Sequence, residues 1–334
     1  MGNLVKRAVE NGGKLAPLVI PNGLHSGTGL MNPSVFVDDD GEILVNLRHV
    51  NYTLYHSEGT QQFPSRWGPL SYLHPEKDQA LRTENYICRL DKNLSMTDHT
   101  HVEMLNLHTP IWEFTGLEDA RLVKWENNYY LIGVRRDTTT YGEGRMEYTL
   151  LDFDKKSFTA KETRRVRIPA PLENNSYCEK NWIPIVDKPF TFVKWTSPTE
   201  IVWADPKHPL CNQVKISDAP HIQYDQRGSS QMVKWGNMYI SITHEVNLYK
   251  NYLDQKDGLY RHRMCVWDDQ LNLVGISPEN FSFLDAKIEF CAGAAVYQDS
   301  LLISWGFQDN SAFILQVPKQ VVEDMILEAL TYEF

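Results

Sequence analysis

The 334-residue chain carries 33 Lys and Arg against 43 Asp and Glu, a formal charge of −10, and 42% of its residues are hydrophobic. That charge balance excludes a surface that tracks nucleic-acid phosphates, which needs clustered cations, and the apolar share excludes a disordered chain. Length alone allows two domains, but no Gly/Ser linker or shift in composition divides the sequence, so residues 1–334 read as one domain.

The stretch from Met1 to Gly13 has no apolar run long enough for a signal peptide, and Lys6 stands where a myristoylation signal needs Ser or Thr. No membrane span is expected anywhere. Cysteines at 88, 178, 211, 265 and 291 form no CxxC pair, which predicts reduced thiols, a cytoplasmic setting and no structural metal.

From Asn32 onward a hairpin pattern recurs: NPSVFVDDDGEILVNLR, then EDARLVKWENNYYLIGVRR from Glu118, KNWIPIVDKPFTFVKW from Lys180, SSQMVKWGNMYISITHE from Ser229 and CAGAAVYQDSLLISWGFQD from Cys291. Each copy is a β-rich run, a turn built on Asp, Asn, Gly or Pro, and a second β-rich run. Weaker paired runs follow from Glu84, Arg145, Thr199 and His262, so two hairpins make a four-stranded sheet. Such sheets repeated about an axis predict an all-β, five-bladed β-propeller. Only SAFILQV follows the last hairpin, so residues 1–30 are expected to supply its outermost strand. Beyond Pro318, Val321, Val322, Met325, Ile326 and Leu330 recur at helical spacing, which predicts a short C-terminal helix within 318–334. It would pack on the propeller or serve a dimer contact, and a homo-oligomer is left open.

Inner strands of a propeller begin at one mouth of the central channel. The residues expected there are Asn32, then Glu118, Asp119 and Arg121, then Lys180 and Asn181, then Arg227, Ser229, Ser230 and Gln231. Partner strands end on Arg48, Arg135, His244, Glu245 and Asp309. Acids, bases and amides from separate stretches thus converge on one funnel, which is active-site composition. Plainer readings exist for each group: Glu118, Asp119 and Arg121 as a structural ion pair, His244 as a bonded core histidine, Asp309 as a turn residue. His99 and His101 have metal-ligand spacing but no partner to complete a site, and read as exposed loop residues.

The motifs GLEDARLVKWENNYYLIG from Gly116, the hairpin from Asn32, DQRGSSQMVKWGNMYISITH and IEFCAGAAVYQDSLLISWGFQD, in that order, resemble glycoside hydrolase family 130 and its transferase relatives, five-bladed propellers acting on β-mannosides. The resemblance implies that Asp119 is the general acid and that Arg121 sits at the sugar and acid site. It further implies that Arg227 and His244 hold phosphate, that Asn32 and Asp309 bind sugar, and that Lys180 lies in a family-like segment. Ala120 replaces the signature proline, and Glu245 follows the histidine where the family has a small residue.

Three chemistries fit such a pocket. A phosphorylase would use inorganic phosphate as nucleophile. A transferase would use a sugar phosphate or nucleotide sugar as donor, with a carboxylate taking the acceptor's proton. A hydrolase would use water, with Glu245 as base. The expectation is phosphate-linked transfer of a mannose-like group, with substrate contacts from Asn32, Arg48, Glu118, Arg121, Lys180, Asn181 and Asp309, and no resident cofactor. A non-catalytic glycan- or protein-binding propeller is the competing class, and Tyr55, Phe63 and Trp67 would supply its stacking surfaces.

Overall fold

Alternating β-rich runs become strands here because each can pair with the next through a tight turn. The computed structural model describes residues 2–20, 29–53, 80–170, 176–217, 226–250 and 256–331. Tyr55, Phe63 and Trp67 lie outside them. Among the described residues the chain is all-β apart from two helices, α1 (Leu4–Glu10) and α2 (Lys319–Thr331).

The strands form four-stranded antiparallel units, and the outer strands of the first two, Met96–Glu103 and Thr159–Arg167, pair in parallel to join those units into one sheet. The first is Leu30–Val37, Ile43–Val50, Leu81–Leu90 and Met96–Glu103. The second runs Glu118–Trp125, Asn128–Arg135, Arg145–Asp154 and Thr159–Arg167. Its first turn places Glu126 and Asn127 at φ 50° and 64°, the paired left-handed residues of a type I′ hairpin. The third spans Ile183–Pro184, Thr191–Trp195, Thr199–Ala204 and Cys211–Ser217. The fourth contains Val233–Trp235, Met238–Lys250, Lys256–Trp267 and Leu273–Ile276. In the fifth, Glu289–Tyr297, Ser300–Phe307 and Ser311–Pro318 are completed by Lys14–Pro17 from the N-terminal end of the chain.

Apolar faces are buried between units, and the interfaces form a closed circuit. Leu44 and Ile87 of unit one pack with Leu122 and Leu131 of unit two, and Trp125 and Tyr130 of unit two pack with Phe190 and Phe192 of unit three. Val193 and Ile201 meet Tyr239 and Trp267 of unit four. Ile240 and Met264 meet Ile303 and Leu315 of unit five, with Leu4 and Val5 of α1 and Val321, Val322 and Met325 of α2 joining that cluster. Leu302 and Ile314 of unit five return to Val35 and Val45 of unit one. Helix α2 therefore packs on the sheets, with Leu330 partly buried. No helix among the described residues is long and apolar enough to cross a membrane.

Among the described residues the first strands of units one, two and five pair only with their own second strands, so their inward backbone groups need side-chain partners. Gln231, fully buried, supplies them: its Nε2 donates to Ser34 Oγ (2.8 Å), Val35 O (3.1 Å) and Leu122 O (2.9 Å), and its Oε1 accepts from Ala294 N (3.0 Å). One side chain from unit four thereby ties together units one, two and five.

Candidate active site

At one end of these central strands lies a cavity of about 350 Å³. Its polar lining comes from every unit: Asn32 and Arg48 from the first, Glu118 and Asp119 from the second, Lys180 and Asn181 leading into the third, Arg227 and His244 from the fourth, and Asp309 following the last hairpin. Local backbone geometry aims several of them. The first strands of units one and two carry register shifts between Met31 and Ser34 and between Glu118 and Arg121. Within these bulges Asn32 and Asp119 sit at φ 46° and 50°, and Asn181 and Asp309 adopt φ 62° and 51°. A bulge leaves the extra residue without a ladder partner and re-aims its side chain, and Asn and Asp tolerate the left-handed region better than most side chains.

Asp119 is the centre of the arrangement. Its Oδ1 accepts from Arg48 Nη1 (2.6 Å) and from Asn32 Nδ2 (2.7 Å). Arg48 is seated by Thr83 Oγ1, which accepts from its Nε (3.2 Å) and Nη2 (3.0 Å). Burial alone would raise the Asp119 pKa, but Arg48, Arg121, the Asn32 amide and Lys180 outweigh it and hold the carboxyl well below the usual range. Lys180 is exposed, makes no hydrogen bond or ion pair among the described residues, and reaches Asp119 and His244 through its charge.

His244 is 2% exposed and stacks on Tyr260 at 5.8 Å. Desolvation, then the charges of His262, Lys180, Arg121 and Arg227, push its pKa well below the ordinary value, so the ring is neutral. Its Nδ1 has no partner among the described residues. A neutral imidazole with an unused nitrogen beside two cations can bond a phosphoryl or sugar oxygen without adding charge.

Two expected site residues lie elsewhere. Arg121 is 1% exposed and does not line the cavity; it braces the floor, donating from Nε and Nη2 to Ser229 O (2.9 and 2.7 Å) and from Nη1 to Asp119 O. Glu245 is corrected more sharply. His244, Val246 and Leu248 line the cavity, and strand alternation puts Glu245 on the opposite face. There its carboxylate accepts from Gln226 Nε2 (3.1 Å) and Asn280 Nδ2 (2.5 Å) and lies 3.8 Å from Arg263. It is not placed to act as a base in the cavity.

Arg135, expected at the mouth, pairs instead with Glu147 (2.8 Å) and Asp137 (3.2 Å). Its neighbour Arg136 lines the cavity, as do Tyr52, Trp112, Phe114 and Tyr177. The signal for Arg136 was the Arg-Arg pair itself, in which only the strand phase decides which member faces inward. Ser229, Ser230 and Gln231 are buried beneath the site. His99 and His101 are in the strand Met96–Glu103 rather than a loop, and His101 packs at 5.2 Å from Tyr86. Among the described residues the acidic group close enough to hold a metal is Asp38, Asp40 and Glu42, but Lys155 bonds all three and Lys124 bonds Asp38.

Solved structures share this fold. β-1,2-Mannobiose phosphorylase from Listeria innocua, in complex with β-1,2-mannobiose, aligns with a TM-score of 0.55 at 14% identity, over 95% of this chain and 97% of its own. MPT-1, a GDP-Man-dependent mannosyltransferase from Leishmania mexicana, gives 0.55 at 14% identity over 94% of both chains. MPT-4, a mannose phosphorylase from Leishmania mexicana in complex with a phosphate ion, gives 0.51 at 10% identity over 94% of this chain and 92% of its own. No protein-family model matches the sequence, and no curated protein matches it. At these identities the likeness shows the fold, which is the one implied by the resemblance to glycoside hydrolase family 130.

Proposed function

We propose that the units are the blades of a five-bladed β-propeller and that the chain is a carbohydrate-active enzyme moving a mannose-like glycosyl group between a sugar hydroxyl and phosphate. The observation that carries this reading is the meeting, in one cavity, of Asp119 with Lys180, Arg227 and the neutral His244. A carboxylate handles the hydroxyl proton, and the cations stabilise charge on phosphate. The aromatic lining of Tyr52, Trp112 and Tyr177 suits the apolar faces of sugar rings. The fold relatives act on mannosides by phosphorolysis or transfer, which supports the mannose-like choice. Hydrolysis with Glu245 as base has no support, because that carboxylate faces away from the cavity.

The test is a screen of mannosyl donors, with and without inorganic phosphate, following free sugar, sugar 1-phosphate and nucleotide. Phosphate-dependent cleavage, or transfer from a phosphate-linked donor, is expected. Arg227→Ala should weaken phosphate or donor binding by about 1.5–3 kcal/mol, the usual worth of a charge-assisted hydrogen bond. Phosphate-independent release of free sugar, unaffected by Arg227→Ala, would overturn the proposal.

A further inference from the structure

The two donors that reach Asp119 converge on a single oxygen. Oδ1 accepts from a guanidinium and from an amide, and neither nitrogen has a lone pair with which to accept a proton from it. Oδ1 is therefore unprotonated. No described residue bonds Oδ2, the oxygen left for a ligand in the cavity that Asp119 lines. Arg48 is itself held in place, 6% exposed, by Thr83 and by Tyr52 Oη at 3.3 Å from Nη2.

We propose that Arg48 is a positioning residue that keeps Asp119 an ionised carboxylate with Oδ2 available to substrate, so that Asp119 takes the proton of an incoming sugar hydroxyl while the donor sugar leaves its own phosphate. This rests on the glycosyl-transfer reading above. In the step, the acceptor oxygen bonds the anomeric carbon and the bond from that carbon to the phosphate oxygen breaks, its electron pair staying on phosphate. The acceptor's proton passes to Asp119 Oδ2, and from there to water or the departing phosphate. Phosphate departs as an anion beside Lys180 and Arg227 and needs no acid. In the reverse direction, phosphate-dependent cleavage, the leaving sugar oxygen takes the proton back from Oδ2.

The charged groups around this corner agree. Arg48 faces Asp119 from unit one, Arg121 from its own strand and Lys180 from the segment entering unit three. Glu118 and Tyr52 lie within electrostatic reach of Arg48, and Asp309 within reach of Tyr52. The net effect on Asp119 is a strong lowering against burial.

Protein labelled with ¹³C at aspartate carboxyls tests the assignment directly, with the Asp119 signal identified by its loss in Asp119→Asn. The wild-type signal should stay at its ionised position down to about pH 4, the ordinary aspartate value. Arg48→Gln should raise its midpoint by about 1–3 pH units, a 10- to 1,000-fold change in proton affinity, and Arg48→Lys should restore most of the lowering. Thr83→Ala, which keeps the guanidinium but removes its seat, should shift the midpoint upward by less. If Arg48→Gln does not fold, Thr83→Ala decides. A wild-type Asp119 that protonates above about pH 4, or variants that titrate like wild type, overturn the role of Arg48.

A second arm follows transfer from mannose 1-phosphate to mannose, where the acid limb of kcat/KM should rise in pH with the same variants. Transfer without a shifted titration overturns the role of Arg48 alone. A shifted titration without transfer overturns the functional reading and, with it, the proton-acceptor role.

Discussion

Asp119 is both a reacting group by proposal and one half of a buried ion pair by geometry, and these two roles have separable signatures. Asp119→Asn keeps the shape but removes the charge, so turnover should fall by about 10²–10⁴. Removing the nearer of the two carboxylates around buried Arg48, with Glu118 left at 3.8 Å, should also cost stability in urea unfolding, by less than the ~3–5 kcal/mol of a fully broken buried pair. Because the folded pKa is lowered, this stabilisation is fully present above the unfolded value near 3.9 and is lost as pH falls through the folded value. The stability gap between wild type and variant should therefore hold from neutral pH to about pH 5 and narrow only in stronger acid. A variant as stable as wild type at pH 7 would show that Arg48 finds another partner. Of the fifteen polar residues expected at the mouth from the sequence, nine line the cavity. Arg121, Arg135 and Glu245 are among those that do not, because side-chain direction depends on strand phase; at Arg121 the bulge after Glu118 resets that phase without leaving a mark in composition.

At the scale of the element, the site depends on bulged first strands whose left-handed Asn and Asp residues lean over the cavity. Gly306 makes room for one of them. A Cβ there would stand 2.1 Å from Asn32 Oδ1 and 2.7 Å from Asn32 N, so Gly306→Ala must displace the side chain that donates to Asp119. The expected result is a stability loss of about 1–3 kcal/mol, as in other overpacked sites, accompanied by reduced turnover. An alanine variant with an unchanged melting temperature and full activity would mean that Asn32 can shift freely. Hairpins were readable because alternation and turn residues are local. Bulges were not, since the extra residue is visible only against a partner strand, and Gly306 reads as an ordinary strand glycine until Asn32 is seen beside it.

For the molecule as a whole, stability depends on closure between the first and last parts of the chain. Lys14–Pro17 covers the free edge of Ser311–Pro318, and Leu4, Val5 and Ala8 fill the interface between units four and five. Removing residues 2–17 should expose an unpaired strand edge, which favours association. It should also forfeit burial of Leu4 and Val5, worth about 1.5–3 kcal/mol each. Lower thermal stability and concentration-dependent light scattering are expected, and a truncated chain that melts like the full one would contradict the closure argument. The circuit of interfaces could be anticipated from the recurring hairpins. The central fastening by Gln231 could not, because a glutamine in SSQMVKW looks like a polar strand residue until four units are brought around it.

That fastening also governs traffic. Among the described residues, Gln231 and Arg121 are buried beneath the cavity and close that side of it. On the proposed reaction, donor and acceptor would then enter from the same side, and whichever seats deeper would arrive first and leave last. Under that proposal, a queue of this kind would impose an order of addition on the substrates, and it would let the shallower product, while it lingers, imprison the deeper one.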